Sequence, residues 1–471
     1  MENKGFWDIL EGLRWVNKNI GFFGGDTSRI TIAGESAGSI AVGLLSVSPL
    51  AKGLYKRQIM ESGSPVYLLA ENNTQNLAFS QRVAEMVGCA SPTYTIEDNP
   101  APVLECLKSL WDVLEGLRWV NKYIGCFGGD TSRITIAGES AGSWLVGLLA
   151  VSPLAKGLYK RAIMQSGSPV FLEAENNTQN VAFSQSVAEM VGCANSTFTI
   201  KDYPGPVVEC LRKVHPAILA RAEYSLDPVV LHKFNYQYGD EILPENPRIS
   251  VLKGDFRCTE LLIGSNQDEG SLLITAQFPE MFGFFGQKNP LFSKSAASDL
   301  IRKAFKNFPD PESVVQHYLP DALPEHASTA IRYQTYTSFG DMLLLCPTVY
   351  HAEKCSEKGG KVYSYLFTHR KSNSPFAPWM GKVHFDEIQF VFGSPLLDTF
   401  NYTQEDQEIS EQIIEVWSSF AKDGKPSIPW PLYSKEVPLI KLLGPRIVTG
   451  ENGIGPHRDN CDFFRPFYTS L

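Results

Sequence analysis

Apolar residues recur at helical spacing just ahead of a glycine-rich turn in the stretch from 111 to 130. Val113, Leu117, Val120 and Ile124 lie on one face of a 3.6-residue period, which predicts an amphipathic helix. The turn Phe127–Asp130 ends the pattern, because its glycines break the apolar period.

The next segment changes period twice. Residues 133–136 alternate as in a strand, and residues 138–142 are small enough for a sharp turn. A second apolar helix is predicted from Trp144 until Ser152-Pro153 ends it, and residues 160–164 predict another strand. Strand, turn, helix and strand in this order indicate a parallel βαβ unit.

Further elements follow beyond residue 212. Short buried strands are predicted at Glu260–Gly264 and Lys361–Phe367. An amphipathic helix is predicted from four apolar positions: Ile409, Ile413, Val416 and Phe420. Thr403 with Asp406 forms a possible capping box, and Gly424 ends the helix. The fold class predicted is α/β, with a mostly parallel sheet flanked by helices.

A long internal repeat changes the domain organisation that the pattern implies. Residues 7–108 match residues 111–212 at a constant offset of 104, and only 20 of the 102 aligned positions differ. Two long units do not make a solenoid, which stacks three or more short ones. We expect residues 1–110 to be an extra copy of one βαβ segment and residues 111–471 to form the catalytic domain.

Composition narrows the class of protein. The 471 residues are 43% hydrophobic, with a net charge of -9 that argues against a nucleic-acid binder and an anionic membrane surface. The longest apolar stretch, Trp144–Ala155, is too short to span a bilayer, so no transmembrane segment is expected. The first residues do not resemble a signal peptide. Nine cysteines and four N-glycosylation sequons nevertheless favour a secretory environment: Asn72, Asn176, Asn195 and Asn401.

The pentapeptide Gly138-Glu139-Ser140-Ala141-Gly142 lies between a predicted strand and a predicted helix. Gly-x-Ser-x-Gly in that context is the nucleophile elbow of serine hydrolases, whereas the bare pattern also fits a glycine-rich turn. The turn presents the hydroxyl at a helix N-terminus, where backbone amides favour a developing oxyanion. Ser36 occupies the same place in the first copy.

A serine nucleophile also needs a base and a carboxylate that orients the base. In α/β-hydrolases the chain order is serine, acid, histidine. Asp268 and Glu269 follow a predicted strand, while His369 and His384 lie further along. The residues alone leave both the acid and the base open.

Several motifs together resemble the type-B carboxylesterase family, and its acetylcholinesterase branch most. They are Phe127–Asp130, Gly138–Gly142, Gln165–Pro169, Asn266–Ser271, Trp379–Gly381 with His384, and Glu387–Gly393. The resemblance implies an α/β-hydrolase fold and hydrolysis of small carboxylic esters through an acyl-enzyme, without a cofactor or metal ion.

The same likeness implies roles for individual residues. Ser140 corresponds to the nucleophile, Glu269 to the orienting acid, His384 to the general base and Ala141 to an oxyanion amide, with Ser166 and Glu387 as buried polar support. It also implies three disulfides, namely Cys193–Cys210, Cys346–Cys461 and Cys89–Cys106. A secreted or extracellular location, and a homo-oligomer formed through C-terminal helices, are further implications.

Spacing separates the two serines. Ser140 lies 129 residues before Glu269, a separation similar to that in the family, whereas Ser36 lies 233 residues before it. The second copy has Gln165 where the first has Glu61, and the family motif has glutamine. We therefore expect Ser140 to be the nucleophile and Ser36 to have no catalytic role.

Two departures from the family bear on activity and substrate. The N-terminal strands and the glycine-rich oxyanion loop of the family have no counterpart here, which favours an alternative: an impaired cholinesterase-like fragment or a non-catalytic binding protein. Leu272 and Leu273 replace phenylalanines of cholinesterases, and leucine offers a quaternary ammonium no cation-π contact. A broad carboxylic-ester range is expected.

Overall fold

The computed structural model describes most of the chain, in two compact units formed by residues 1–107 and 108–471. The described residues are 4–23, 25–35, 41–43, 45–46, 48–61, 110–171, 178–226, 236–306, 308–445, 447, 450 and 452–469. Five residues named above lie outside them: Ser36, Asn72, Cys89, Cys106 and Asn176.

The first unit contains one long helix and a parallel pair of strands. Its elements are α1 (Lys4–Asn19), β1 (Thr31–Glu35) and β2 (Arg57–Glu61), with β1 paired to β2. A small apolar core holds them together: Leu10, Leu13, Leu45 and Ala51.

The second unit is built on a six-stranded sheet. Its strands are β3 (Thr135–Glu139), β4 (Arg161–Gln165), β5 (Glu260–Asn266), β6 (Val362–Phe367), β7 (Leu439–Leu443) and β8 (Asn452–Ile454). They lie in chain order, parallel throughout except for the antiparallel pair β7–β8. The prediction of a mostly parallel sheet is thereby confirmed.

Helices fill the connections between these strands. In chain order they are α2 (Leu110–Tyr123), α3 (Ala141–Val151), α4 (Thr178–Met190), α5 (Pro204–Lys213), α6 (Pro216–Ser225), α7 (Pro247–Lys253), α8 (Glu269–Gln277), α9 (Pro279–Phe282), α10 (Lys294–Ala304), α11 (Pro311–Tyr318), α12 (Ser328–Gly340), α13 (Cys346–Glu357), α14 (Ile388–Val391), α15 (Ser394–Leu397), α16 (Gln404–Asp423) and α17 (Arg458–Thr469). A π-helical turn, Asp341–Leu345, joins α12 to α13. None of the described helices is both long and apolar enough to cross a membrane.

The sheet carries an apolar core on each face. Ala162 and Met164 of β4 belong to one core, and Ile163 between them belongs to the other. This alternation follows from the two-residue period of a strand, and strands buried on both faces are typical of parallel sheets with helices on either side. All five residues of β4 are buried.

Helix α16 forms as its sequence predicts. Thr403 and Asp406 make the reciprocal capping box, and Gly424 ends the helix with a φ of 75°. The four apolar positions used for the prediction are buried in the second core: Ile409, Ile413, Val416 and Phe420.

Other boundaries differ from the prediction. Helix α2 buries Leu114 and Leu117, whereas Val113 is 37% exposed, so the helix is rotated from the face that the spacing indicated. Strand β3 begins at Thr135 and not at residue 133, because Thr131–Arg133 form a 3-10 turn capped by Asp130. Helix α3 begins at Ala141, three residues before Trp144.

Three disulfides join described cysteines. Cys193–Cys210 and Cys346–Cys461 have Cα–Cα distances of 5.4 and 5.1 Å, and both pairs were predicted. The third, Cys258–Cys355, has a Cα–Cα distance of 5.2 Å and was missed. Its cysteines lie 97 residues apart, and no local pattern links them. Cys126 is a free, exposed cysteine.

Candidate active site

Ser140 is the single residue between strand β3 and helix α3. Its backbone has a φ of 54° and a ψ of -117°, a left-handed conformation that costs a non-glycine residue about 1–3 kcal/mol. Its N–H donates to the Gln165 carbonyl at 2.9 Å, which fixes the turn to the end of β4.

The two glycines of the elbow are not equivalent. A Cβ on Gly138 would overlap the carbonyl group of Gly142, so a side chain at position 138 would force the turn open. A Cβ on Gly142 would meet no atom within 4 Å. Of these two glycines, Gly138 is therefore the one that the packing of the turn requires.

The serine, a histidine and a glutamate form one line of contacts. His384 Nε2 lies 2.9 Å from Ser140 Oγ, and His384 Nδ1 lies 2.6 Å from Glu269 Oε2. Glu269 is 2% exposed and His384 is 9% exposed, so little water competes for these contacts. The structure thus brings together three residues that lie far apart in the sequence.

The geometry distinguishes Glu269 from its neighbour Asp268. Glu269 Oε1 accepts the backbone N–H of Asn266 at 2.7 Å, which leaves Oε2 for His384. Asp268 accepts from the Tyr336 hydroxyl at 3.0 Å and from the backbone N–H of Lys382 at 2.9 Å. Asp268 therefore supports the loop that carries His384, without touching the imidazole itself.

His369 is also separated from the serine. Its Nε2 lies 2.7 Å from Asp406 Oδ1, at the N-terminus of α16. Two basic side chains, Arg370 and Lys371, hold the loop between His369 and His384 in place. Arg370 donates to the carbonyls of Phe376 and Gly381, both at 2.7 Å, and Lys371 pairs with buried Asp386 at 3.2 Å.

Two opposing effects set the pKa of His384. Burial of the ring lowers it, but the Glu269 carboxylate raises it by attraction and by its hydrogen bond, and the pKa reaches about 9. Glu139 and Glu387 raise it further. The site therefore favours the imidazolium over the neutral ring, and only the neutral ring can accept a proton from Ser140.

Glu139, inside the elbow, was missed as a functional residue. Its Oε1 lies 3.3 Å from His384 Nε2, and its side chain is buried. Burial raises the pKa of Glu139 to about 8, although the charge of His384 opposes the shift. A carboxylate placed between a strand and the nucleophile was the signal in the sequence.

Glu387 lies beside Asn266, the last residue of β5. It accepts from Gln165 Nε2 at 3.0 Å and from Asn266 Nδ2 at 2.6 Å. Burial raises its pKa to about 7, and the Glu269 charge adds to the shift. Trp417 donates to Gln165 Oε1 at 3.1 Å and so orients that amide towards Glu387. Ser166 is fully buried beside this group, with a φ of 55°.

Ala141 is the first residue of α3. The first four N–H groups of a helix have no acceptor within the helix, so the Ala141 amide is available to a ligand beside Ser140. Among the described residues, no group of three or more His, Cys, Asp or Glu side chains is arranged to hold a metal ion. Ser140, His384 and Glu269 have the order of contacts that serine hydrolases use in a Ser–His–Glu triad.

Comparison with known proteins places the chain in a family. The model of the carboxylesterase family matches it twice, over residues 1–110 and over residues 108–445. The chain therefore belongs to the carboxylesterase family, whose fold is the α/β-hydrolase fold.

Its relatives include acetylcholinesterases from several animals. The chain is 36% identical to acetylcholinesterase-1 of Trittame loki over 373 residues, which are 76% of this chain and 66% of the relative. It is 31% identical to acetylcholinesterase of Leptinotarsa decemlineata, over 77% of this chain and 58% of the relative. For acetylcholinesterase of Bungarus fasciatus the identity is 32%, over 77% and 60%. The chain thus spans less than two thirds of the length of these relatives.

Proposed function

We propose that the chain is a serine hydrolase that cleaves small carboxylic esters through an acyl-enzyme intermediate. The observation that carries the proposal is the unbroken line from Glu269 through His384 to Ser140, with contacts of 2.6 and 2.9 Å. Three residues drawn from distant parts of the chain have no structural need to meet in this order. The family of the chain supports the same class of reaction.

Acylation follows from these positions. Ser140 Oγ attacks the ester carbonyl while His384 Nε2 accepts the hydroxyl proton. The Glu269 carboxylate holds the imidazole by Nδ1 and stabilises its positive charge. The Ala141 amide donates to the oxyanion of the tetrahedral intermediate. Collapse of that intermediate expels the alcohol, which takes the proton from His384.

Deacylation repeats the sequence with water. His384 Nε2 accepts a proton from water as the oxygen attacks the acyl-serine carbonyl, and the Ser140 Oγ–carbonyl bond then breaks. The proton returns from His384 to Ser140 Oγ, and the carboxylic acid leaves. Glu139 Oε1 lies 3.3 Å from Nε2, and the ionised form of this side chain favours the imidazolium in both steps.

A fluorophosphonate probe tests the nucleophile, because it reacts with an activated serine and not with a free hydroxyl. We expect the wild type to be labelled at Ser140 and the Ser140→Ala variant to remain unlabelled. Ser36→Ala is the matched control, since the surrounding pentapeptide is the same, and it should label like the wild type. A folded wild type that does not react would favour the non-catalytic alternative.

The substrate we propose is a general carboxylic ester and not a dedicated choline ester. The relatives are named acetylcholinesterases, which points to acetylcholine. Leu272 and Leu273, half-buried in α8 next to Glu269, offer no aromatic face for a quaternary ammonium.

Two substrates of the same shape separate these possibilities. Acetylthiocholine and its uncharged 3,3-dimethylbutyl analogue differ only in the quaternary nitrogen. We expect their kcat/KM values to agree within about threefold, whereas a cation-π contact of about 2 kcal/mol would give a preference of about thirtyfold for the cation. A preference of that size would establish a choline site formed by other residues.

The location and assembly of the protein are part of the same proposal. Three disulfides among the described cysteines favour an oxidising compartment, so we propose secretion. A homo-oligomer through C-terminal helices would have to use the outer side of α17, because Cys461, Phe464 and Tyr468 are buried within the unit. Light scattering of the purified chain tests the second point.

A further inference from the structure

A half-buried histidine and a buried aspartate form a pair in the crevice that Glu269 also lines. His457 Nδ1 is 2.5 Å from Asp341 Oδ1, and Asp341 is 1% exposed. Asp341 Oδ2 also accepts from the Tyr318 hydroxyl at 2.8 Å and from Asn460 Nδ2 at 2.6 Å. Asp341 therefore joins α11, the π-helical turn and the start of α17, although none of these groups takes part in the reaction proposed above.

Asp341 is next to the backbone that supports Glu269. It follows Gly340, and a Cβ on Gly340 would lie 2.6 Å from the Gly270 nitrogen and 3.2 Å from Glu269 Cβ. Helices α8 and α12 thus meet with their backbones in contact at Gly270 and Gly340. A displacement of Asp341 would therefore move a backbone that packs directly against the residue after Glu269.

Close packing makes this transmission direct. Glu269, Gly340, Asp341 and His457 line the same crevice, which is too narrow to hold a water molecule. Without solvent to fill a gap, the elements around the crevice cannot move independently. The π-helical form of the turn is also typical of functional segments of helices.

We propose that His457, acting through Asp341, is a positioning residue for the catalytic acid Glu269, and that the charge of His457 makes this positioning depend on pH. This inference rests on the proposed function for its catalytic consequence. The ion pair itself does not depend on it.

The groups that face His457 determine the direction of the pH dependence. Burial lowers the pKa of His457, but the Asp341 carboxylate raises it, and the Asp268 carboxylate adds to the rise. The folded-state pKa lies above the unfolded value of about 6.5. The ion pair is therefore complete below pH 6.5 and is lost as the pH rises through the folded-state pKa. The neutral ring retains at most one hydrogen bond to Asp341.

The experiment compares fluorophosphonate labelling rates of the full chain over a pH series. His457→Arg keeps a cation at every pH, His457→Gln removes it, and His326→Gln is a control on an exposed histidine outside the site. Since all variants share the triad, the ratio of each rate to the wild-type rate cancels the titration of His384.

We expect the ratio for His457→Arg to increase as the pH rises through the pKa of His457. His457→Gln should label more slowly by on the order of tenfold at low pH and approach the wild type at high pH, because a small displacement of a catalytic group lowers the rate steeply. His326→Gln should follow the wild type throughout. Ratios for both His457 variants that stay constant with pH would overturn the inference.

Two further measurements keep the outcomes distinct. Asp341→Asn keeps the shape of the aspartate without its charge. In this background, adding His457→Arg should leave the labelling rate unchanged at every pH. If the wild type is not labelled at all, the proposed function fails, and thermal unfolding over the same pH series still tests the pair. The unfolding temperature of His457→Arg should then increase relative to that of the wild type as the pH rises. A difference that does not change with pH would contradict the ion pair between His457 and Asp341.

Discussion

Residues 7–61 and 111–165 present nearly the same sequence in two different surroundings. Both copies form a helix, a capped 3-10 turn and two parallel strands, and the strands pair in the same register, Thr31 with Arg57 and Thr135 with Arg161. These shared features depend on contacts within the segment, so they recur wherever the segment occurs.

The second strand of each copy shows what the segment does not determine. Residues 57–59 of β2 are exposed, whereas β4 is buried along its whole length. Ile59 is 49% exposed and its twin Ile163 is 3% exposed. Strand β4 pairs with β5 on its second edge and has an apolar core on each face. The burial of β4, and the contact of Ser140 with His384, therefore depend on residues beyond the repeat.

The largest effect on activity should come from removing the carboxylate of Glu269, which contacts His384 beside the second elbow. Glu269→Gln keeps the shape of the acid but cannot stabilise the imidazolium, so we expect kcat to fall by on the order of 10⁴-fold. Steady-state hydrolysis of a chromogenic ester measures the loss.

Asp268→Asn is the matched control for that loss. It changes the adjacent carboxylate, which contacts Tyr336 and Lys382 and not His384, and it should cost far less activity. Equal losses for both variants would show that the loop, and not the carboxylate on His384, limits the rate.

Truncating the same isoleucine in each copy measures the difference in burial. Ile163→Ala removes a side chain packed in the second core, and we expect it to lower the free energy of unfolding by about 2–5 kcal/mol. Ile59→Ala should change it by no more than about 0.5 kcal/mol. Urea unfolding of both variants gives the two values, and similar values would remove the contrast between the copies.

Exchanging Gln165 and its counterpart Glu61 tests how the polar groups around Glu387 affect stability. Gln165→Glu replaces the amide that donates to Glu387 by a second buried carboxylate, and we expect a loss of about 3 kcal/mol. Glu61→Gln, the reverse exchange in the first copy, should have almost no effect.

The loss for Gln165→Glu should also depend on pH. Glu387 already has its pKa raised to about 7, so its folded form is favoured by protonation, and stability falls as the pH rises from about 4.5 towards 7. A second carboxylate steepens that fall. A loss that stays constant over this interval would place the new carboxylate away from Glu387.

The smallest effect, equal in the two copies, is expected from removing the aspartate that caps the 3-10 turn. Ser28 N–H donates to Asp26 at 2.8 Å, and Ser132 N–H donates to Asp130 at 2.9 Å. Because the two caps are local and exposed, Asp26→Ala and Asp130→Ala should each speed amide exchange slightly, and equally, in their own turn. Mass spectrometry distinguishes the two turns through peptides that differ in sequence between the copies. Unequal changes in exchange rate would show that residues outside the repeat influence the turns.

The prediction of the fold from sequence succeeded where local patterns carry the information. The capping box at Thr403 and the strand–turn–helix order around Ser140 depend on neighbouring residues. The buried face of α2 was predicted only in part: Leu117 is buried, but Leu114 is buried in place of Val113. Both side chains are apolar, so only the partner surface selects between them. The disulfide Cys258–Cys355 was missed for a related reason, since its cysteines meet only in the fold.

The candidate site shows the same limit. Residue types and chain order left Asp268 and Glu269 equivalent, and one residue of difference along α8 directs the second carboxylate to His384. Glu139 is part of the predicted elbow, but its proximity to His384 could not be predicted. That proximity depends on a loop more than two hundred residues further along the chain. The resemblance to the family supplied what local chemistry could not.

The differences between β2 and β4 have a consequence for how the chain folds. Three of the five residues are identical, so the earlier strand could compete for the place beside β5 while the chain is being synthesised. The two that differ, Gln58 for Ala162 and Glu61 for Gln165, fall at positions that are buried in β4. An unpartnered buried amide costs about 1–3 kcal/mol, and a carboxylate beside Glu387 costs more. We expect these two side chains to prevent the first copy from being incorporated into the sheet.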